Sequence, residues 1–199
     1  MEINFENTKF YDLCINEENG TIELRLDGVV TEVFKYINLI DLVYVKVFEV
    51  WGGFENSKRI EVRSATSIFS EDCVKVDGHW KCQNGNIIIP CAHHLCVLTR
   101  EKAIAEFCII TMRGLATKAS RRWNNKAMQV VKKNNNYQYC PPKYTHTYSA
   151  SVISEKERYM WDFSNPTEIE LSETLNYLNA IKNYISMHWD AIVYHGADN

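Results

Sequence analysis

The chain lacks the features that would place it in a membrane or send it through a secretory route. Its N-terminus, MEINFENTKFYD, is polar and acidic where a signal peptide would be basic and then apolar. Its longest apolar run, Leu39–Val50, is interrupted by Asp41, Lys46 and Glu49, and falls short of the roughly 18–20 residues a membrane helix needs. These absences predict a protein of the cytoplasm or of a virion, with no membrane partner and no export through a signal peptide. Catalytic templates are missing as well: there is no GxSxG, GxxxxGK[ST], HExxH or GxGxxG. Alanine, glycine and proline are sparse while Asn, Ile and Lys abound. Such a bias accompanies AT-rich genomes and points to a phage or a low-GC bacterium as the source.

One sign of charge is missing from a long segment. Residues 107–154 hold eight Lys and Arg and no Asp or Glu, a net of +8, between flanks of −6 (1–106) and −5 (155–199). The basic residues are Arg113, Lys118, Arg121, Arg122, Lys126, Lys132, Lys133 and Lys143, interleaved with Trp123, Tyr137, Tyr139, Tyr144 and Tyr148. Cations neutralise phosphates and aromatics stack on bases, so one expectation is nucleic-acid binding. The other is docking on an acidic surface of a neighbouring subunit, where complementary charge sets register. A folded-back or solvated face is the bland alternative.

What is present is globular in kind. The 199 residues are 46% hydrophobic and 24% charged, which suits one soluble domain with a sizeable core. Hairpin dipeptides punctuate the first half: Asn19-Gly20, Asp27-Gly28, Gly52-Gly53, Asp77-Gly78 and Asn84-Gly85. Strand-like runs lie between them, TIELRL (21–26) with VVTEVF (29–34), and LVYVKVFEV (42–50) with RIEVRS (59–64). The expected class is α+β in a single domain over 1–199. Within it, 1–98 is mainly antiparallel β, and 99–123 is one buried helix capped by Thr99, with a strand over 105–112 as the competing reading. Residues 124–164 form an extended arm of long loops with one or two strands, such as MQVV (128–131) and YSASVI (148–153), and 165–196 a C-terminal amphipathic helix.

Seven cysteines without a secretory signal read as reduced thiols. Four of them, with three of the six histidines, crowd into CVKVDGHWKCQNGNIIIPCAHHLC (73–96). A two-residue turn at Asp77-Gly78 would set Cys73 opposite Cys82 at a non-hydrogen-bonded position. A second at Asn84-Gly85 would set Cys82 opposite Ile87. Zinc wants four convergent ligands, usually as two close pairs, and here Cys91 and His93 face one side of a strand while His94 and Cys96 face the other. No metal and no cofactor is expected. Lys75-Val-Asp77-Gly78 resembles the first motif of the nucleotidyltransferase ligases, whose lysine becomes adenylylated. The resemblance covers four residues; neither the Glu-Gly pair nor the Lys-x-Lys strand of that family follows.

With no catalytic residues to name, the sequence predicts a non-enzymatic structural subunit of a multi-protein assembly. The concrete version is a phage head-to-tail connector or tail component, a homo-oligomer or ring. Its contact residues would be Arg113, Lys118, Arg121, Arg122, Trp123, Lys126, Lys132, Lys133, Tyr137, Tyr139, Lys143 and Tyr144. A nucleic-acid-binding protein using 113–148 is the alternative, and a small metal- or thiol-dependent enzyme comes third.

Overall fold

A computed structural model describes residues 9–52, 58–64, 73–76, 79–100, 103–133, 144–155 and 157–170. About 70% of them lie in strands. The strands are β1 (Phe10–Ile15), β2 (Ile22–Leu26), β3 (Val29–Phe34), β4 (Tyr36–Trp51), β5 (Arg59–Ser64) and β6 (Cys73–Val76). They continue with β7 (His79–Cys82), β8 (Ile87–Arg100), β9 (Ala103–Arg113), β10 (Tyr144–Glu155), β11 (Arg158–Phe163) and β12 (Thr167–Glu170). A 3-10 turn at Gly114–Ala116 leads into one helix, α1 (Thr117–Lys133).

The main sheet runs β11-β10-β4-β8-β9-β1-β2-β3. Its long axis is the β4–β8–β9 meander, in which Asn38 to Trp51 pair with Thr99 to Ile87, and Cys91 to Arg100 pair with Arg113 to Ala103. Only β1–β9 is parallel among the described pairs, with Phe10 beside Phe107. The expected hairpins at Asp27-Gly28 and between β4 and β5 are present. Asp27 and Gly28 both take positive φ, 51° and 79°, the conformation that a two-residue hairpin turn demands.

The sheet is curled, and α1 lies against its inner face. The core there joins Leu13, Ile22, Leu24, Leu39, Leu98, Ile110 and Met112 to Ala119 and Trp123 of the helix. The curl brings β11 back against β1. At this seam the ring of Tyr159 lies on Gly20, whose φ is +71°.

These observations overturn the α+β expectation: the described residues are mostly β with one helix. Of the expected helix over 99–123, only 117–123 is α-helical, as the start of α1. Thr99 lies at the end of β8, next to its last residue Arg100, and the apolar run Ala103–Met112 is a strand. A short run that is apolar all round satisfies a buried strand as well as a buried helix, and its β8 partner decides. The supposed arm, 124–164, holds most of α1, in which the expected strand MQVV (128–131) is helical, then β10, which contains the expected strand YSASVI (148–153), and β11. The inward face of α1 is Ala119, Ser120, Trp123 and Ala127. Those small side chains suit a helix inside a tight curl, and they leave almost no large apolar stripe to detect. Of the expected helix over 165–196, Asn165 and Pro166 are non-helical, Thr167–Glu170 is a strand and 171–196 lies outside the described residues. The Asn84-Gly85 connection is one residue off: Cys82 N–H donates to Asn86 O, and Lys81, not Cys82, pairs with Ile87.

A Cβ placed on Gly20 would sit 2.5 Å from Tyr159 Cε1. Gly20→Ala is expected to lower stability by about 2–3 kcal/mol, part from the clash and part from positive φ. In a Tyr159→Ala background the cost should fall to about 1 kcal/mol, the φ share alone. Urea unfolding of the four proteins in this cycle measures both.

Candidate functional site

The helix sorts the predicted contact residues. Lys118, Arg121 and Arg122 are exposed on its outer side, at the i, i+3, i+4 spacing that makes one stripe. None of the three has a hydrogen-bond or ion-pair partner among the described residues. Leu115 and Met128 are exposed near its two ends. Trp123 points the opposite way and is fully buried. Lys126 reaches back to donate to the carbonyl of Phe163. Arg113 ends β9 and is bound to Glu49. Lys132 and Lys133 close the helix and Tyr144 opens β10, whereas Tyr137, Tyr139 and Lys143 lie outside the described residues.

Two buried polar networks sit behind this surface, one on each face of β8. On the inner face, His94 Nδ1 lies 3.3 Å from both oxygens of Asp41, and Nε2 lies 2.8 Å from Ser120 Oγ. This connectivity fits Nδ1–H donating to the carboxylate and Nε2 accepting the serine proton. It has the order of a Ser-His-Asp triad. The setting is different: His94 and Ser120 are fully buried. The imidazole stacks on Trp123 at 4.4 Å and lies 4.9 Å from the Tyr44 ring. No substrate carbonyl reaches that hydroxyl, so the network fastens α1 to the sheet.

On the outer face, Glu49 is fully buried in β4. Arg113 grips it with two bonds of 2.7 and 3.1 Å, Arg59 donates at 3.2 Å and Trp51 Nε1 at 3.1 Å. The strand register explains the convergence, because Arg113 pairs with Cys91, Cys91 with Val47, and Arg59 with Trp51. Burial pushes the Glu49 carboxyl up, but the bonds and charge of Arg113, with Trp51 and Arg59, outweigh it and hold it below its ordinary value.

Cys91 and His93 adjoin this pair. His93 Nε2 is 3.4 Å from Cys91 Sγ, and Nδ1 is 3.0 Å from Thr111 Oγ1. Ligand atoms of Glu49, Cys91 and His93 all lie within 4.8 Å of one another, and the types are those zinc takes. The charges oppose a dication. Glu49 is already shared by two guanidiniums, and burial followed by the Glu49 charge pushes the Cys91 thiol far up, keeping it protonated. Arg59 Nη2, buried with no hydrogen-bond partner among the described residues, adds another uncompensated donor. The cluster is an anchored ion pair in its chemistry.

As the strand alternation predicts, Cys91 and His93 share one face of β8 and His94 and Cys96 the other. Sequence reasoning passed over Asp41, Glu49 and Ser120. The signal was available for two of them: Asp41 and Glu49 are the acidic interruptions of the Leu39–Val50 run, and a lone acid inside an apolar strand needs a buried partner. No helix among the described residues is long and apolar enough to cross a membrane.

Burial, the largest influence on His93, holds it down at about 4, with Glu49 pulling up and Arg113 and Arg59 pushing down. Below 6.5 the unfolded chain takes up a proton that the folded chain refuses until about pH 4. Stability therefore falls as pH drops through this window and is level above it. The loss from this group is expected to be on the order of 3 kcal/mol. Urea unfolding at pH 7 and pH 4.5 should show His93→Gln losing correspondingly less than the wild type. Glu49→Gln leaves two guanidiniums without their counter-charge, and should cost about 3–5 kcal/mol at pH 7 by the same method.

A scan against protein-family models, a search of curated proteins and a search of solved structures each returned no match.

Proposed function

We propose that the chain is a non-enzymatic subunit of a protein assembly, and that copies join through the open edge of β3. The observation that carries this reading is that edge. β3 ends the sheet, pairing β2 on one side and no strand on the other among the described residues. Val29, Val30 and Val33 are 67%, 42% and 54% exposed. Exposed edges are templates for another strand, and proteins that avoid pairing guard them with lysine or proline. β3 has neither, and Glu32, its one charge, is tied to Arg100. A bulge near Thr31, whose Oγ1 donates to Leu24 O, bends the edge.

The sealed interior supports the same reading. The hydroxyl of Ser120 and the thiol of Cys91 are enclosed, so neither network offers a reacting group to a substrate. On α1, the stripe of Lys118, Arg121 and Arg122 would meet an acidic surface of the neighbouring subunit and set its orientation. A virion component is the concrete form of this proposal, supported by the residue composition. The same unpaired stripe favours a second reading, nucleic-acid binding through α1.

Light-scattering mass at low and high salt, with the 260/280 nm ratio across the peak, separates the two. The expected result is a discrete oligomer with a protein-like ratio. Val33→Lys should shift it to monomer, and Arg121→Glu with Arg122→Glu should weaken it most at low salt. A wild-type monomer at all concentrations and salts would overturn the assembly reading. A high ratio that vanishes in high salt would put nucleic acid in its place.

A further inference from the structure

Away from both networks, the β6–β7 hairpin brings two cysteines together. Cys73 pairs with Cys82 in the register. The backbone of Cys82 is engaged on its other side: its N–H donates to Asn86 O and its carbonyl accepts from Gly85 N–H, both at 2.9 Å. The cysteines are therefore a non-hydrogen-bonded cross-strand pair, where Cα atoms approach to about 4.5 Å. That lies within the span of roughly 4.4–6.8 Å that a disulfide bridges. Neither cysteine is in a disulfide here, and Cys82 is buried and Cys73 half-buried. They pack with Trp80 against Phe48, Val50 and Ile88. Arg63 Nη1 donates to Cys73 Sγ at 3.2 Å, which sets a cation beside the more accessible sulfur. Cys91, Cys96 and Cys108 are fully buried, and burial pushes each of those thiols up. Among the described cysteines, position and exposure thus single out one pair.

We propose that Cys73 and Cys82 are a thiol–disulfide exchange site whose co-reactant is a small-molecule disulfide of the glutathione type. In the first step the Cys73 sulfur gives up its proton and attacks one sulfur of that disulfide. The disulfide bond breaks, and one half leaves as a thiol carrying a proton. In the second step Cys82 gives up its proton and attacks the Cys73 sulfur of the mixed disulfide, expelling the other half as a second thiol. One small-molecule disulfide is reduced to two thiols, and two cysteine thiols are oxidised to one cystine. The bond ties β6 to β7 without moving the strands out of register. It is independent of the assembly reading.

The test is incubation of the folded full chain with excess oxidised glutathione, followed by intact mass and peptide mapping. The wild type should lose two thiols, yield a peptide linking Cys73 to Cys82 and retain no glutathione. Cys82→Ser should instead hold one glutathione on Cys73, because the resolving thiol is gone. Cys73→Ser should leave Cys82 a free thiol. The wild-type arm stands whether or not either variant folds. Cys73 and Cys82 still reduced at equilibrium, a disulfide mapped elsewhere in their place, or glutathione stably held by the wild type would each overturn the proposal.

Discussion

Trp123 sits where the curled sheet and helix α1 meet, and the geometry of both depends on its seat. Its ring stacks on Phe163 at 3.8 Å and on His94 at 4.4 Å, and meets the edge of Tyr148. Those partners come from β11, β8 and β10, so one side chain gathers strands that are far apart in sequence. Its Nε1 has no hydrogen-bond partner among the described residues, so ring packing holds it. Direction is supplied next door, where Asp41 and Ser120 hold His94 from two elements. A helix lined with small residues can slide or rotate in a groove. The His94–Ser120 bond and the indole together allow one setting.

The basic segment shows how a charge count differs from a charged surface. Its first cation, Arg113, is half-exposed but bound to the buried Glu49, and Lys126 is bound to a backbone carbonyl at the end of β11. What faces outward from α1 is the group Lys118, Arg121 and Arg122. A segment without acids is in part a segment whose acids are elsewhere, since β4 carries the Glu49 that one of its arginines neutralises.

Local chemistry was legible in the sequence. The Asp27-Gly28 turn, the β4–β5 pairing and the opposite facing of His93 and His94 all follow from turn residues and a period of two. Non-local choices were not. The run Ala103–Met112 carries no sign of whether β8 or a second helix covers it. The inward face of α1 has alanine and serine where an amphipathic helix would show leucine. The sites were hidden for the same reason. Asp41 and His94 lie 53 positions apart and Glu49 and Arg113 64 apart, and register between distant strands joins each pair.

The parallel contact of β1 with β9 sets an order of events for a chain emerging from the ribosome. Phe10 pairs beside Phe107, and Leu13 beside Ile110, so β1 waits until β9 is available. Until then the β1–β2–β3 meander has an open edge on each side, and the apolar row of β1 has no sheet to join. Native contacts so distant in sequence slow folding and lengthen exposure to aggregation. Synthesis cut short before Arg113 leaves the amino-terminal strands without their neighbour. This fold can be completed only once its second half exists.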